Sequence, residues 1–143
     1  MRLANLLDAR TAWALAAFAI ALFIFVQSSR ASITIQDWPL SLVFRDSESG
    51  QGQSLDELGH GLAHVGMFAA LAFCLHRALG KLSLKAAGVA AALATLYGVS
   101  DEWHQSMVAV REAALGDVGL DVVGAVLGSF CSLLVARSGP GPS

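Results

Sequence analysis

The sequence predicts an all-α fold: one polytopic membrane domain over residues 1–143, built as a bundle of four transmembrane helices. Three observations point there. The 143-residue chain is 55% apolar and only 14% charged, with a mean hydropathy of +0.62, which lies outside the range of soluble domains. Two runs of 19 residues, 11–29 and 58–76, hold no Asp, Glu, Lys or Arg, and each is long enough to cross a bilayer. Two further apolar runs follow, bounded by carboxylates.

The first helix is expected near 11–29, between Arg10 and Arg30. Arg2 and Arg10 could form the basic start of a signal peptide, and "SSRAS" loosely resembles a cleavage site, but the apolar stretch is long for that and favours an uncleaved anchor. Residues 31–57 read as a long outer loop whose tail, "RDSESGQGQ", is polar and turn-rich; no chemistry is assigned to it. The second helix is expected near 58–79, with Asp56 and Glu57 electrostatically favouring its start. "HRALGKLSLK" is then a short basic turn, with His76 at the interface beside Arg77. The third helix, near 84–104, reaches crossing length only if it carries Asp101 or Glu102 at the membrane surface. The fourth, near 117–137, must accept Asp121 about one turn inside, and "SGPGPS" (138–143) reads as a disordered tail. Cys74 and Cys131 fall within apolar helices, so no disulfide is expected.

Basic residues set the orientation. Six of them (Arg2, Arg10, Arg77, Lys81, Lys85, Arg137) fall on the face that holds both termini, against three (Arg30, Arg45, Arg111) on the other, so both termini are expected to be cytoplasmic. Of the carboxylates only Asp8 lies on the inner face. Trp38 and Trp103 would then lie near the outer interface and Trp13 near the inner one.

The outer ends of the helices hold the unusual residues. His60, His64, Phe68 and Leu71 share one face of the second helix; Asp101, His104 and Gln105 lie within one turn at the end of the third; Asp117 and Asp121 lie one turn apart on the fourth. A charge at the centre of a membrane helix costs about 2.5–3.5 kcal/mol on insertion scales, so such residues persist where they are paired, hydrated or used. Arg111 is the expected counter-ion. Each group also has a purely structural reading: His64 as an interhelical hydrogen bond, Asp117 as a helix cap, Glu102 as a partner of Arg111. Convergence at one depth is what favours a site. Gly124 and Gly128 form a GxxxG on the face that carries Asp117 and Asp121, facing an alanine-rich third helix, so close helix contact or a homodimer is expected there.

The run Glu102-Trp103-His104-Gln105, Arg111 six residues on, Asp117 six further, and Gly124 and Gly128 behind it resembles the signature of the VanZ-like membrane family, whose namesake is linked to teicoplanin resistance. His64 and Phe68 match the family's histidine and aromatic on an earlier helix, and the similarity covers roughly residues 58–130. The chain departs from the pattern in three places. His60-Gly61 replaces an Asp-Lys pair, Ala109-Val110 replaces Pro-Gly, and Asp121 replaces an asparagine; the lost lysine and the gained carboxylate make the site more acidic. The resemblance implies a protein of the bacterial cytoplasmic membrane that acts at the cell envelope.

Three readings follow. In the first, an outward-facing site binds or modifies an envelope lipid head group, with His64, Glu102, His104, Arg111 and Asp117 as catalytic candidates and Arg111, Gln105, Asp101 and Asp121 as substrate contacts. Its partners are membrane lipid and a lipid-linked envelope precursor; no nucleic acid is expected and no cofactor is named. In the second, the protein is non-enzymatic, the charges hold the bundle together and the outer face binds a partner. The third is a divalent-metal site drawn from His60, His64, His104, Asp117 and Asp121. With no HExxH or CxxC pattern to support it, no metal ligands are assigned.

Overall fold

The computed structural model describes residues 2–29, 51–107 and 115–137. They form four helices: α1 (Arg2–Ser28), α2 (Gln51–Leu79), α3 (Leu84–Met107) and α4 (Leu115–Arg137). Arg30, Trp38, Arg111, Glu112, the 31–50 part of the expected outer loop and the 138–143 tail lie outside the described residues. α2 starts at Gln51, seven residues ahead of its expected membrane segment, so residues 51–57 of the expected outer loop are helical. α1 likewise begins at Arg2.

Three helices are long and apolar enough to cross a membrane: the segments Ala9–Ser28, Leu58–Leu79 and Gly116–Arg137. α3 has the length for a span, 24 residues or about 36 Å at 1.5 Å per residue, but its small residues and polar "SDEWHQ" end leave it less apolar.

The bundle is centred on α2, which packs against all three other helices and most extensively against α4; α1 and α4 do not touch among the described residues. Its core is made largely of small side chains around one aromatic: Phe68, Leu71 and Ala72 of α2, Ala17 and Ile24 of α1, Ala94 of α3 and Ala125 of α4. The large apolar side chains point outward instead. Phe18, Leu62, Leu96, Val126 and Phe130 are each at least half exposed, an inside-out distribution that suits hydrocarbon as solvent.

Glycines set how closely α4 approaches α2. A Cβ at Gly124 would strike the backbone of Val65, and one at Gly128 the backbone of Ala69, so the GxxxG packs within the bundle against α2 and not against the alanine-rich α3 that the sequence suggests. Gly98 plays a similar part on α3, where a Cβ would lie 2.7 Å from Asp121 Oδ2 and 3.1 Å from Phe68. Lower down, the α2–α4 seam holds a buried polar pair, His76 Nδ1 and Ser132 Oγ at 2.9 Å. His76 is thus fully buried and not interfacial as its neighbour Arg77 suggests: the histidine faces α4 while Arg77 turns to the face of Trp13, 5.6 Å from the ring centroid.

The turn between α2 and α3 closes the basic end. Gly80 takes a left-handed φ of 64°, its carbonyl accepts from Arg10 Nη2 at 3.2 Å, and Ser83 caps α3 by accepting from the Ala86 amide. Cys74 is buried and Cys131 exposed, both as free thiols. They line an apolar recess of about 380 Å³ between α2 and α4 with Ala69, Phe73, Leu127 and Gly128, well away from the polar end.

Candidate functional site

Two sets of polar residues meet at the end of the bundle opposite the basic turn. α1 and α3 reach it with their C-terminal ends and α2 and α4 with their N-terminal halves, as alternating helix direction requires.

The first set lies between α2 and α4. His60 and His64 stand one turn apart, with ring centroids 4.6 Å apart. Asp117 and Asp121 stand one turn apart on α4 and oppose them in register: Asp117 Oδ2 is 3.3 Å from His60 Nε2, and Asp121 Oδ1 is 2.8 Å from His64 Nδ1. The pairs differ in depth. The side chains of His60 and Asp117 are 46% and 21% exposed, those of His64 and Asp121 only 8% and 1%. Asp121 Oδ1 accepts the Nδ1 proton of His64, which fixes the tautomer and leaves Nε2 as the basic nitrogen. The His64 ring is nearly parallel to Phe68, 6.4 Å away, and Phe68 contacts Tyr97, whose hydroxyl donates to the Ala21 carbonyl at 2.6 Å. The imidazole is therefore held by a carboxylate at one nitrogen and by packed rings on its face.

The second set lies between α1 and α3. Ser28 Oγ donates to Asp101 Oδ2 at 2.6 Å, and Gln105 Nε2 donates to that same oxygen at 2.9 Å and to Ser28 Oγ at 3.1 Å. All three side chains are buried. His104 lies beside this triangle, its Nε2 3.1 Å from Ser29 Oγ and its ring 4.9 Å from that of Phe25. Glu102 is also buried, at 6% exposure.

The residues expected at one convergent site thus fall into two adjoining hydrogen-bonded sets. His64, Asp117 and Asp121 come together, while Asp101, His104 and Gln105 turn toward α1. His104 is separated from His64 because it stands on the α1-facing side of α3. Arg111, the expected counter-ion, is outside the described residues. Asp117 lies within the first turn of α4 and meets His60 rather than simply capping the helix. Two participants lie outside the expected set, Ser28 and Ser29: both end an apolar run and carry no periodic signal of their own. His60, by contrast, is legible from its H-x₃-H spacing with His64.

Apolar helices turned outward around a small-residue core define the class: a multi-pass α-helical membrane protein. The chain belongs to the VanZ/LLP1 family, whose family model matches residues 11–136 and so takes in α1 and its two serines. No curated protein and no solved structure matches the chain.

Proposed function

We propose that this VanZ/LLP1 family member spans the bacterial cytoplasmic membrane four times, with both termini in the cytoplasm and the His–Asp end facing outward, and that this end binds or modifies the head group of an envelope lipid. One observation carries the reading: at the end of the bundle opposite the basic turn, two histidines and two carboxylates are paired across α2 and α4 and open to solvent at His60 and Asp117. In this reading His64, oriented by Asp121, is the proton carrier, and Asp117 or Glu102 the general base. Arg111 grips an anionic head group, since a guanidinium can hold a phosphate or carboxylate by two parallel hydrogen bonds. Gln105, Asp101 and His104 border the site from α3, and the namesake's link with teicoplanin makes glycopeptide susceptibility the phenotype to follow. A homodimer would have to form on a face other than the GxxxG, which α2 occupies.

The test compares Arg111→Lys and Glu102→Gln with the parent for insertion, thermal stability and glycopeptide susceptibility. The reading expects near-normal stability with the phenotype abolished. Loss of phenotype in step with stability across Arg111, Glu102, His64 and Asp117 would favour the alternative, a non-enzymatic protein whose charges hold the bundle together. The buried triangle Ser28–Asp101–Gln105 supports that alternative for the α1–α3 side. Orientation is tested by labelling single cysteines at Ser49, Ala109 and Ser83, in a background lacking Cys74 and Cys131, with an impermeant thiol reagent. Labelling from outside at Ser83 overturns it.

A further inference from the structure

We infer that His60, His64 and Asp117 form a three-ligand site for a divalent transition-metal ion of the zinc type, with Asp121 as the carboxylate that orients His64. One potential ligand atom from each of the three residues lies within 4.8 Å of the others. Ligands on a tetrahedral ion with bonds of about 2.0–2.1 Å stand about 3.3 Å apart. The His60 Nε2 to Asp117 Oδ2 separation is already 3.3 Å, so one edge of the polyhedron is preformed. The spacing has a chemical logic as well. Two histidines at i and i+4 on one helix are the pair that grips zinc in the HExxH arrangement, and here a third ligand, Asp117, comes from a neighbouring helix; the general-base glutamate of that motif has no counterpart between His60 and His64.

Asp121 supplies the second, independent observation. Histidine ligands characteristically give their other ring N–H to a carboxylate, and Asp121 Oδ1 takes the His64 Nδ1 proton at 2.8 Å, leaving Nε2 for a metal. Its Oδ2 is buried without a hydrogen-bond partner, in a side chain 1% exposed. A buried carboxylate so placed is costly unless positive charge is close. Among the described residues, which do not include Arg111, every Lys and Arg stands at the other end of the bundle: Arg2, Arg10, Arg77, Lys81, Lys85 and Arg137. A dication on His64 supplies that charge through the imidazole. Three protein ligands with the outermost exposed leave a fourth position open to water or to a ligand oxygen, the arrangement of catalytic rather than structural zinc. The inference concerns the same end of the bundle as the head-group proposal but does not rest on it, since metal binding is measured with no lipid substrate; with a metal bound, His64 and Asp117 are ligands and Glu102 is left as the general base.

The experiment titrates Zn²⁺ into full-length, chelator-stripped protein in detergent, following binding by calorimetry and thermal stability in parallel. One equivalent should bind and raise the unfolding temperature. His60→Ala and Asp117→Ala should each weaken binding at least about tenfold, and Asp121→Asn about 10–100-fold, the loss expected of a residue that orients a ligand. His60 is half exposed, so its replacement tests the site without disturbing the core. His104→Ala, on the α1 side, should leave the affinity unchanged. Failure of the parent protein to bind Zn²⁺, or an equivalent that binds equally well to His60→Ala and Asp117→Ala, overturns the inference. Either result leaves the head-group reading standing, because its phenotype is scored separately.

Discussion

The two polar clusters use similar residue types at the same end of the bundle and reach opposite states. Between α1 and α3, Ser28, Asp101 and Gln105 close a triangle in which one carboxylate oxygen accepts two bonds and the donors are neutral, buried and short-range. Between α2 and α4, histidines meet carboxylates in two tiers that grade from buried to exposed, and Asp121 keeps an oxygen without a partner. The first is what a polar group in a membrane bundle needs in order to be stable. The second has more anionic and coordinating capacity than packing two helices requires, and that excess is what marks a site.

The largest effect should come from the seam that brings α2 and α4 together. Gly128→Val places side-chain carbons where the Ala69 backbone stands, and backbone cannot yield as a flexible side chain can. The expected loss is about 3 kcal/mol or more, at the upper end for overpacking, read as a fall in unfolding temperature in detergent. Gly66→Ala on the same α2 has open space around it and should be nearly neutral. Equal tolerance at both positions would mean that the His–Asp cluster does not depend on this close approach.

Asp101→Ala comes next. It removes the acceptor of the Ser28 hydroxyl proton and the closer acceptor of Gln105, and an unsatisfied buried polar group costs about 1–3 kcal/mol. Ser28→Ala should cost less, about 0.6 kcal/mol and no more than about 1.7, the range of hydrogen bonds between membrane helices. In a double-mutant cycle the two replacements should be strongly non-additive, because they remove the same bond. Additive losses would dissolve the triangle as a unit and with it one side of the contrast.

How far each cluster could be read from sequence follows from the distance over which its pattern runs. The α2 and α4 faces are local: His60, His64 and Phe68 at helical spacing, and Asp117, Asp121, Gly124 and Gly128 on one stripe, predict both the polar tier and the close contact beneath it. Which carboxylate meets which histidine is a tertiary register, set by where the glycines let α4 sit against Val65 and Ala69. The α1–α3 triangle joins residues more than seventy positions apart, and its α1 member ends an apolar run where a serine carries no periodic signal. His76 was illegible for the same reason: its partner Ser132 lies on another helix, whereas its charged neighbour is adjacent in sequence. α3 is legible as a helix, and as a span only on the condition that its acidic end lies at the membrane surface, since alanines that pack well against a neighbour contribute little hydropathy.

The smallest stability changes make the sharpest test of the contrast, through the outermost histidine of each cluster. His60 and His104 both lie at the polar end and each hydrogen-bonds a single side chain, Asp117 and Ser29 respectively. Replacing either by alanine removes one partly exposed contact, so both variants should stay within about 0.5 kcal/mol of the parent. Function should separate them. If the α2–α4 cluster is the site and the α1–α3 cluster its scaffold, His60→Ala loses the envelope phenotype and His104→Ala keeps it, with the two proteins equally stable and equally inserted. If both lose it, the two clusters act as one site, as the shared Glu102–His104 signature and Asp117 suggest when read along the chain. The boundary between α3 and α4 would then be part of the chemistry rather than a division within it. If only His104→Ala loses the phenotype, the excess charge on α2 and α4 serves the fold, and the contrast drawn from the geometry is inverted.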